Sequence, residues 1–182
     1  SYNFYVNNVA ATATSIRGGV TVTAKTGDKL VIEAKSSEFT AGKYYTVGDG
    51  KVYTADDNKG IEITVTESMT LSAPVQVYKI TVPTDAVTGN GLSATVTADK
   101  EYAANAEEVT VTVVVTGTAD AAGTVNVSGV SATALDLVEG ATNATANGTT
   151  GINITDAGET SATFTFTYTM GSADSNPTVT CA

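Results

Sequence analysis

Apolar and polar positions alternate with a period of two along most of this chain. In Val20-Thr21-Val22-Thr23-Ala24 the apolar set falls on one face and threonine on the other. Leu30, Ile32 and Ala34 repeat the pattern with Val31, Glu33 and Lys35 opposite, and Ile61, Ile63 and Val65 do so against Glu62, Thr64 and Thr66. Further along come Leu92-Ala94-Val96, then Val109-Val111-Val113-Val115, then the short pairs Val125 and Val127, Leu135 and Leu137, and Ile152 and Ile154. The longest run is Ala162, Phe164, Phe166, Tyr168 and Met170, interleaved with Thr163, Thr165, Thr167 and Thr169. β-Branched residues suit a pleated sheet, and successive strand side chains point to opposite faces. Each run therefore predicts a strand with one buried and one wet face.

Glycine, aspartate and asparagine punctuate these runs. Gly48-Asp49-Gly50 joins 44–47 to 51–55, and Asp49-Gly50 suits a two-residue type I′ turn. That register sets Val47 against Val52 and Thr46 against Tyr53, so Tyr44 and Tyr53 would share a face. Only 99–108, with Ala103, Ala104 and Ala106, favours a helix, and its length allows no more than a turn. Strands recurring with turns between them predict an all-β fold of antiparallel sandwiches. Pro74 and Pro83 bracket 75–82, where the inward set switches from Val75 and Val77 to Tyr78, Ile80 and Val82. Such a switch is what a chain passing from one core to another would show, and a bulge within one strand would show it too. The reading is two tandem β-sandwich modules, 1–76 and 77–182.

Composition narrows the chemistry. The 182 residues carry 9 basic and 19 acidic side chains, a net charge of −10, which repels nucleic acid and anionic membranes. With no histidine, no tryptophan and a single cysteine, the chain alone cannot build histidine-based catalysis or a multi-cysteine metal site. Charged residues are 15% of the chain against a usual figure of about 25%. Low charge, abundant threonine and no cysteine pair fit an extracellular surface protein. Residues 1–6 lack the pattern of a secretory leader, and no stretch approaches the roughly 18 apolar residues that span a bilayer, so no membrane insertion is expected.

Two segments resemble known modules. Residues 19–24 and 27–34, closed by Ile63-Thr64-Val65-Thr66-Glu67-Ser68-Met69-Thr70-Leu71, resemble the short β repeats of large bacterial surface proteins. Ala94-Thr95-Val96-Thr97-Ala98-Asp99-Lys100 with Glu107-Glu108-Val109-Thr110-Val111-Thr112-Val113, and the run 161–170, look like strands of bacterial Ig-like and cohesin-like domains. The resemblance implies a small β repeat followed by an Ig-like sandwich. It implies a non-catalytic building block of a surface-layer, adhesin or filament protein, whose partners are neighbouring modules or copies of itself. The alternative is a carbohydrate- or protein-binding accessory module.

Candidate chemistry is sparse. Asp56, Asp57 and Asn58 form the densest acidic patch, which would suit Ca²⁺, but the spacing is not that of an EF-hand loop and a solvated turn is the ordinary reading. Asp85, Asp99 and Asp174 with Asn176 are further oxygen donors, each also a usual turn former. Tyr44 and Tyr53 offer rings for stacking on a surface glycan, against ordinary cross-strand packing. Glu107 and Glu108, adjacent in a strand, point to opposite faces and cannot act as a hydrolytic pair. Asn126, Asn143, Asn147 and Asn153 head Asn-x-Ser/Thr triplets, candidate glycosylation acceptors in a threonine-rich chain where such triplets also arise by chance. The threonine row 163–169 presents regularly spaced hydroxyls, an arrangement that orders water on flat sheets and serves as an ordinary outward strand face elsewhere. Cys181 shares the face of Val179 and is expected to be buried. Both termini read as strands, which also allows donation of a strand to a neighbouring copy.

Overall fold

Each alternating segment is a strand, and the described residues contain no helix. The computed structural model describes residues 2–7, 9–14, 20–34, 39–56 and 60–182. The chain divides into two compact units, Ser1–Val77 and Tyr78–Ala182.

The first unit contains β1 (Tyr2–Val6), β2 (Val9–Thr14), β3 (Val20–Val22), β4 (Lys29–Ala34), β5 (Tyr44–Thr46), β6 (Tyr53–Thr54), β7 (Ile61–Thr64) and β8 (Met69–Leu71), and its boundary falls within β9 (Val75–Lys79). An antiparallel sheet runs in the order β2-β1-β4-β7, and β3 pairs with β8. The period-two pattern explains the core: Leu30 and Ile32 of β4 and Ile61 and Ile63 of β7 turn inward to meet Phe4, Tyr45, Val47 and Leu71. Val31, on the other face of β4, is buried as well, between Tyr5 and Glu62 on the neighbouring strands.

The hairpin of β5 and β6 departs from the expected register. Tyr45, not Thr46, lies opposite Tyr53, and Tyr44 lies opposite Thr54. A shift of one residue turns every side chain to the other face, so Tyr53 shares the side of the buried Tyr45 and Tyr44 takes the opposite side. The cause is the turn. Its left-handed positions are Gly48 (φ 97°) and Gly50 (φ 76°), flanking Asp49, rather than the Asp49-Gly50 pair that a type I′ turn needs. Val75 also differs from expectation: it is 47% exposed, whereas Val77 is buried.

The second unit contains β10 (Val87–Gly89), β11 (Leu92–Ala98), β12 (Tyr102–Ala104), β13 (Glu108–Ala119), β14 (Gly123–Ser128), β15 (Ala132–Leu137), β16 (Ala144–Asn147), β17 (Gly151–Ile154), β18 (Gly158–Thr169) and β19 (Thr178–Cys181). Two of its sheets run β10-β11-β13-β18-β15 and β16-β17-β14-β19, and neither closes into a barrel. β13 and β18 pair along all 12 residues of each, from Glu108 opposite Thr169 to Ala119 opposite Gly158, a ladder about 40 Å long. Val109, Val111, Val113 and Val115 face inward beside Ala162, Phe164, Phe166 and Tyr168. Val125, Val127, Ile152, Ile154 and Val179 of the other sheet join the same cluster. Burying a side chain such as Phe164 contributes about 1.5–3 kcal/mol. Ile80 belongs to this cluster, and Tyr78 and Val82 pack on it, which is the expected inward set beyond the switch.

The outward face carries hydroxyls. Thr97, Thr112 and Thr165 stand side by side across three strands, with Asp136 next in the row. The hydroxyls of Thr110 and Thr167 lie 3.3 Å apart across one ladder. The 99–108 segment forms no helical turn. It holds the short β12 and a β-turn in which the Glu107 N–H donates to the Ala104 carbonyl at 3.1 Å, with Ala106 left-handed at φ 69°. The carbonyl of Met170 accepts the Ala106 N–H at 2.8 Å, and such tertiary pairing overrides the local preference of alanine for helix.

Candidate functional site

A groove of about 190 Å³ lies beside the Gly48–Gly50 turn of the first unit. Val47 is fully buried and its carbonyl accepts the Ser72 N–H at 2.7 Å, which fixes where the turn leaves the core. A side chain on Gly48 would come within 2.8 Å of the Ser72 hydroxyl, so glycine is required there by space as well as by φ. Asp49 then folds back over the hairpin. One carboxylate oxygen accepts the Lys51 N–H at 3.0 Å and the other accepts the Tyr53 hydroxyl. Partial burial, and then the bond to Asp49, push the Tyr53 phenol well above the ordinary tyrosine range, so it stays a neutral donor.

The opposite wall comes from the segment between β7 and β8. Thr66, Glu67 and Thr70 line it, and its position is fixed by backbone bonds to a second turn: Gly27 N–H to the Val65 carbonyl at 2.8 Å, and Val65 N–H to the Asp28 carbonyl at 2.9 Å. Asp28 is held in turn by the Asn7 side-chain amide at 3.0 Å and the Lys25 N–H at 2.7 Å. The Asn7 bond, with the Lys25 N–H, keeps the Asp28 carboxyl below its usual range. The Lys51 ammonium reaches the Thr66 hydroxyl at 3.5 Å across the groove. Two carboxylates, one ammonium, several hydroxyls and one aromatic ring thus converge. Chemically this set suits a small polyhydroxylated ligand, whose hydroxyls both donate and accept.

Of the two tyrosines singled out by sequence, only Tyr53 lines this groove; Tyr44 stands on the other face of the hairpin, opposite Val77 and Thr54. The two rings do not form one platform. Asp49 and Glu67 were not singled out. The spacing of Asp49 and Tyr53 is legible in the sequence once the turn is placed, whereas Glu67 enters only through the tertiary bonds of Val65.

The other candidates are scattered. The Asp56 N–H donates to the Gly60 carbonyl at 2.7 Å, while Asp57 and Asn58 lie outside the described residues. Among the described residues no three metal-ligating side chains of the cysteine or carboxylate type gather. Asp99 accepts the Thr110 N–H and Asp174 the Lys79 N–H, both at 2.9 Å, while Asp85 and Asn176 are exposed. Asp174 borders an open depression of about 540 Å³ on the second unit, where the Tyr168 and Ser175 hydroxyls meet at 2.7 Å. Glu107 leaves the strand line altogether. It accepts the Ala104 N–H at 2.8 Å and pairs with Lys100 at 3.2 Å, and the backbone bond, with Lys100, holds its carboxyl below the usual range. Cys181 is half-buried; burial pushes its thiol up, and it donates weakly to the Val87 carbonyl at 3.7 Å.

The four triplet asparagines fall into different settings. Asn126 and Asn147 are exposed, and Asn153 is half-buried in β17 between Thr124 and Thr145 of the neighbouring strands. Asn143, left-handed at φ 59°, spends both amide hydrogens inside the protein, on the Asp156 carbonyl at 2.7 Å and the Thr160 hydroxyl at 3.0 Å.

No family model, curated protein or solved structure matches this chain.

Proposed function

We propose that this chain is a non-catalytic structural module of an extracellular surface protein, of surface-layer, adhesin or filament type, built as two tandem antiparallel β-sandwich modules. The observation that carries the reading is the β13–β18 ladder, whose 12 registered pairs put valine and aromatic rings on one face and hydroxyls on the other. A long ladder with a continuous core resists bending and local opening, and a threonine coat keeps it wettable without many charges. Partners are neighbouring modules or copies of the same chain, and no cofactor is required.

Labelling of intact cells of the source organism with antibody to the chain tests the location, and extended thermolysin digestion of the purified chain tests the rigidity. Staining without permeabilisation and a resistant 78–182 fragment are expected. Staining only after permeabilisation, or prompt loss of that fragment, overturns the reading. Self-assembly by strand donation would have to draw β1 or β19 out of pairing with β4 or β14 in its own chain. A strictly monomeric chain at all concentrations in light scattering removes that variant.

The groove beside Tyr53 favours a second reading, a carbohydrate-binding accessory module, because its volume is near that of one sugar ring. Binding on a glycan array that Tyr53→Ala abolishes would support it, and an array without any binding would end it.

A further inference from the structure

We propose that Asn147 is a site of spontaneous backbone modification, converting through a cyclic imide to isoaspartate and aspartate, and that Asn90 is protected from the same reaction by its own hydrogen bonds. The chain contains two Asn-Gly dipeptides, Asn90-Gly91 and Asn147-Gly148. This pairing is the chemically labile one, since glycine offers a backbone nitrogen that no side chain shields. The Gly148 nitrogen attacks the Asn147 side-chain carbonyl carbon, a new C–N bond closes a five-membered ring, and the amide nitrogen leaves as ammonia with the proton shed by Gly148. Water then opens the ring at either carbonyl, and a carboxylate replaces the amide. No oxidant or reductant is involved.

The two sites differ in the freedom this reaction needs. Asn147 is exposed at the end of β16, which lies at the edge of its sheet, and the turn 148–150 follows. Among the described residues no hydrogen bond ties its side chain, and nothing stands within 4 Å of where a Gly148 side chain would project. Asn90 is the reverse. Its amide donates to the Ala121 carbonyl at 3.0 Å and the Ala182 carbonyl at 3.3 Å, and its oxygen accepts the Ala121 N–H at 3.0 Å. A side chain on Gly91 would project to 2.1 Å from the Thr118 carbonyl, so the backbone there has no room to swing. Asn147 also heads a triplet for glycosylation, and conversion would remove the amide a glycan needs.

Incubation of the full chain in mildly alkaline buffer made with ¹⁸O-water, followed by peptide mapping that separates isoaspartate from aspartate, tests this. A parallel sample in urea gives the unfolded rates. Folded Asn147 is expected to take up ¹⁸O at least about tenfold faster than folded Asn90, equivalent to about 1.4 kcal/mol in barrier height, and the two rates should converge in urea. Equal rates in the folded chain, or an intact Asn147 while the urea sample converts, would overturn the proposal.

Discussion

Asn143 ties one end of the loop after β15 to the turn between β17 and β18, and its removal is a sharp test of the second unit. The side chain makes four hydrogen bonds: it donates to the Asp156 carbonyl at 2.7 Å and the Thr160 hydroxyl at 3.0 Å, and accepts from the Thr155 hydroxyl at 2.5 Å and the Asp156 N–H at 2.9 Å. Asn143→Gly keeps the left-handed backbone free of strain and deletes only the side chain. Three of the bonds are to groups that water can reach, each contributing about 0.5 kcal/mol, the low end for a net hydrogen bond. The fourth is to Thr160, which is 2% exposed and keeps only its own donation to the Gly158 carbonyl at 3.0 Å. Losing a partner at a buried hydroxyl costs about 1 kcal/mol, so the variant should lose about 2–3 kcal/mol. Equilibrium urea unfolding of the full chain, followed by tyrosine fluorescence, measures this. A loss under about 0.5 kcal/mol would refute the clamp, because it would mean that solvent replaces every bond. Peptide mapping of the protein from its source should also find Asn143 without a glycan, since both of its amide hydrogens are engaged.

Three further outcomes are expected. Ala106→Gly should raise stability by about 0.5 kcal/mol in thermal unfolding: relief of a left-handed alanine, about 1 kcal/mol, outweighs the extra freedom glycine has when unfolded. A lower melting temperature would show that the turn carries no strain. The depressed Glu107 carboxyl contributes stability above its unfolded pKa, and this is lost as pH falls through the folded value. Glu107→Gln should therefore flatten acid unfolding by less than about 1 kcal/mol after solvent screening, and an unchanged acid profile would count against the Ala104 and Lys100 contacts. Removal of divalent cations with a chelator should leave the melting temperature where it was, and a fall would reveal an ion site that the described residues do not assemble.

Strands whose two faces differ in chemistry were legible. β11, β13 and β18 each put valine, leucine or an aromatic ring on one side and mainly threonine or serine on the other, and their burial follows that alternation. β2, β10, β12 and β16 were not anticipated. They are short or rich in alanine, threonine and glycine, and pairing with a neighbour makes them strands, while their own pattern carries little information. The β5–β6 hairpin shows a different limit. Its strands were evident, but two glycines around Asp49 allowed more than one turn, and a slip of one residue moved Tyr53 to the other face. The groove depended on that register. Its far wall depended on bonds between residues about forty positions apart, such as Gly27 and Val65, and local spacing has no access to these. Asn143 was visible only as a triplet residue, because its partners at 155–160 are brought to it by β17 and β18.

The fold is built on the odd–even division of side chains seen in β13, and two single substitutions one residue apart test that division most directly. Val113 has no exposure and lies opposite Phe164, whereas Thr112 faces outward opposite Thr165. Val113→Thr buries a hydroxyl without a partner and should cost about 1–3 kcal/mol in urea unfolding, while Thr112→Val, made on the wet face, should stay within about 0.5 kcal/mol of the unaltered chain. Equal losses at the two positions, or a larger loss at Thr112, would contradict the assignment of faces and the fold built on it.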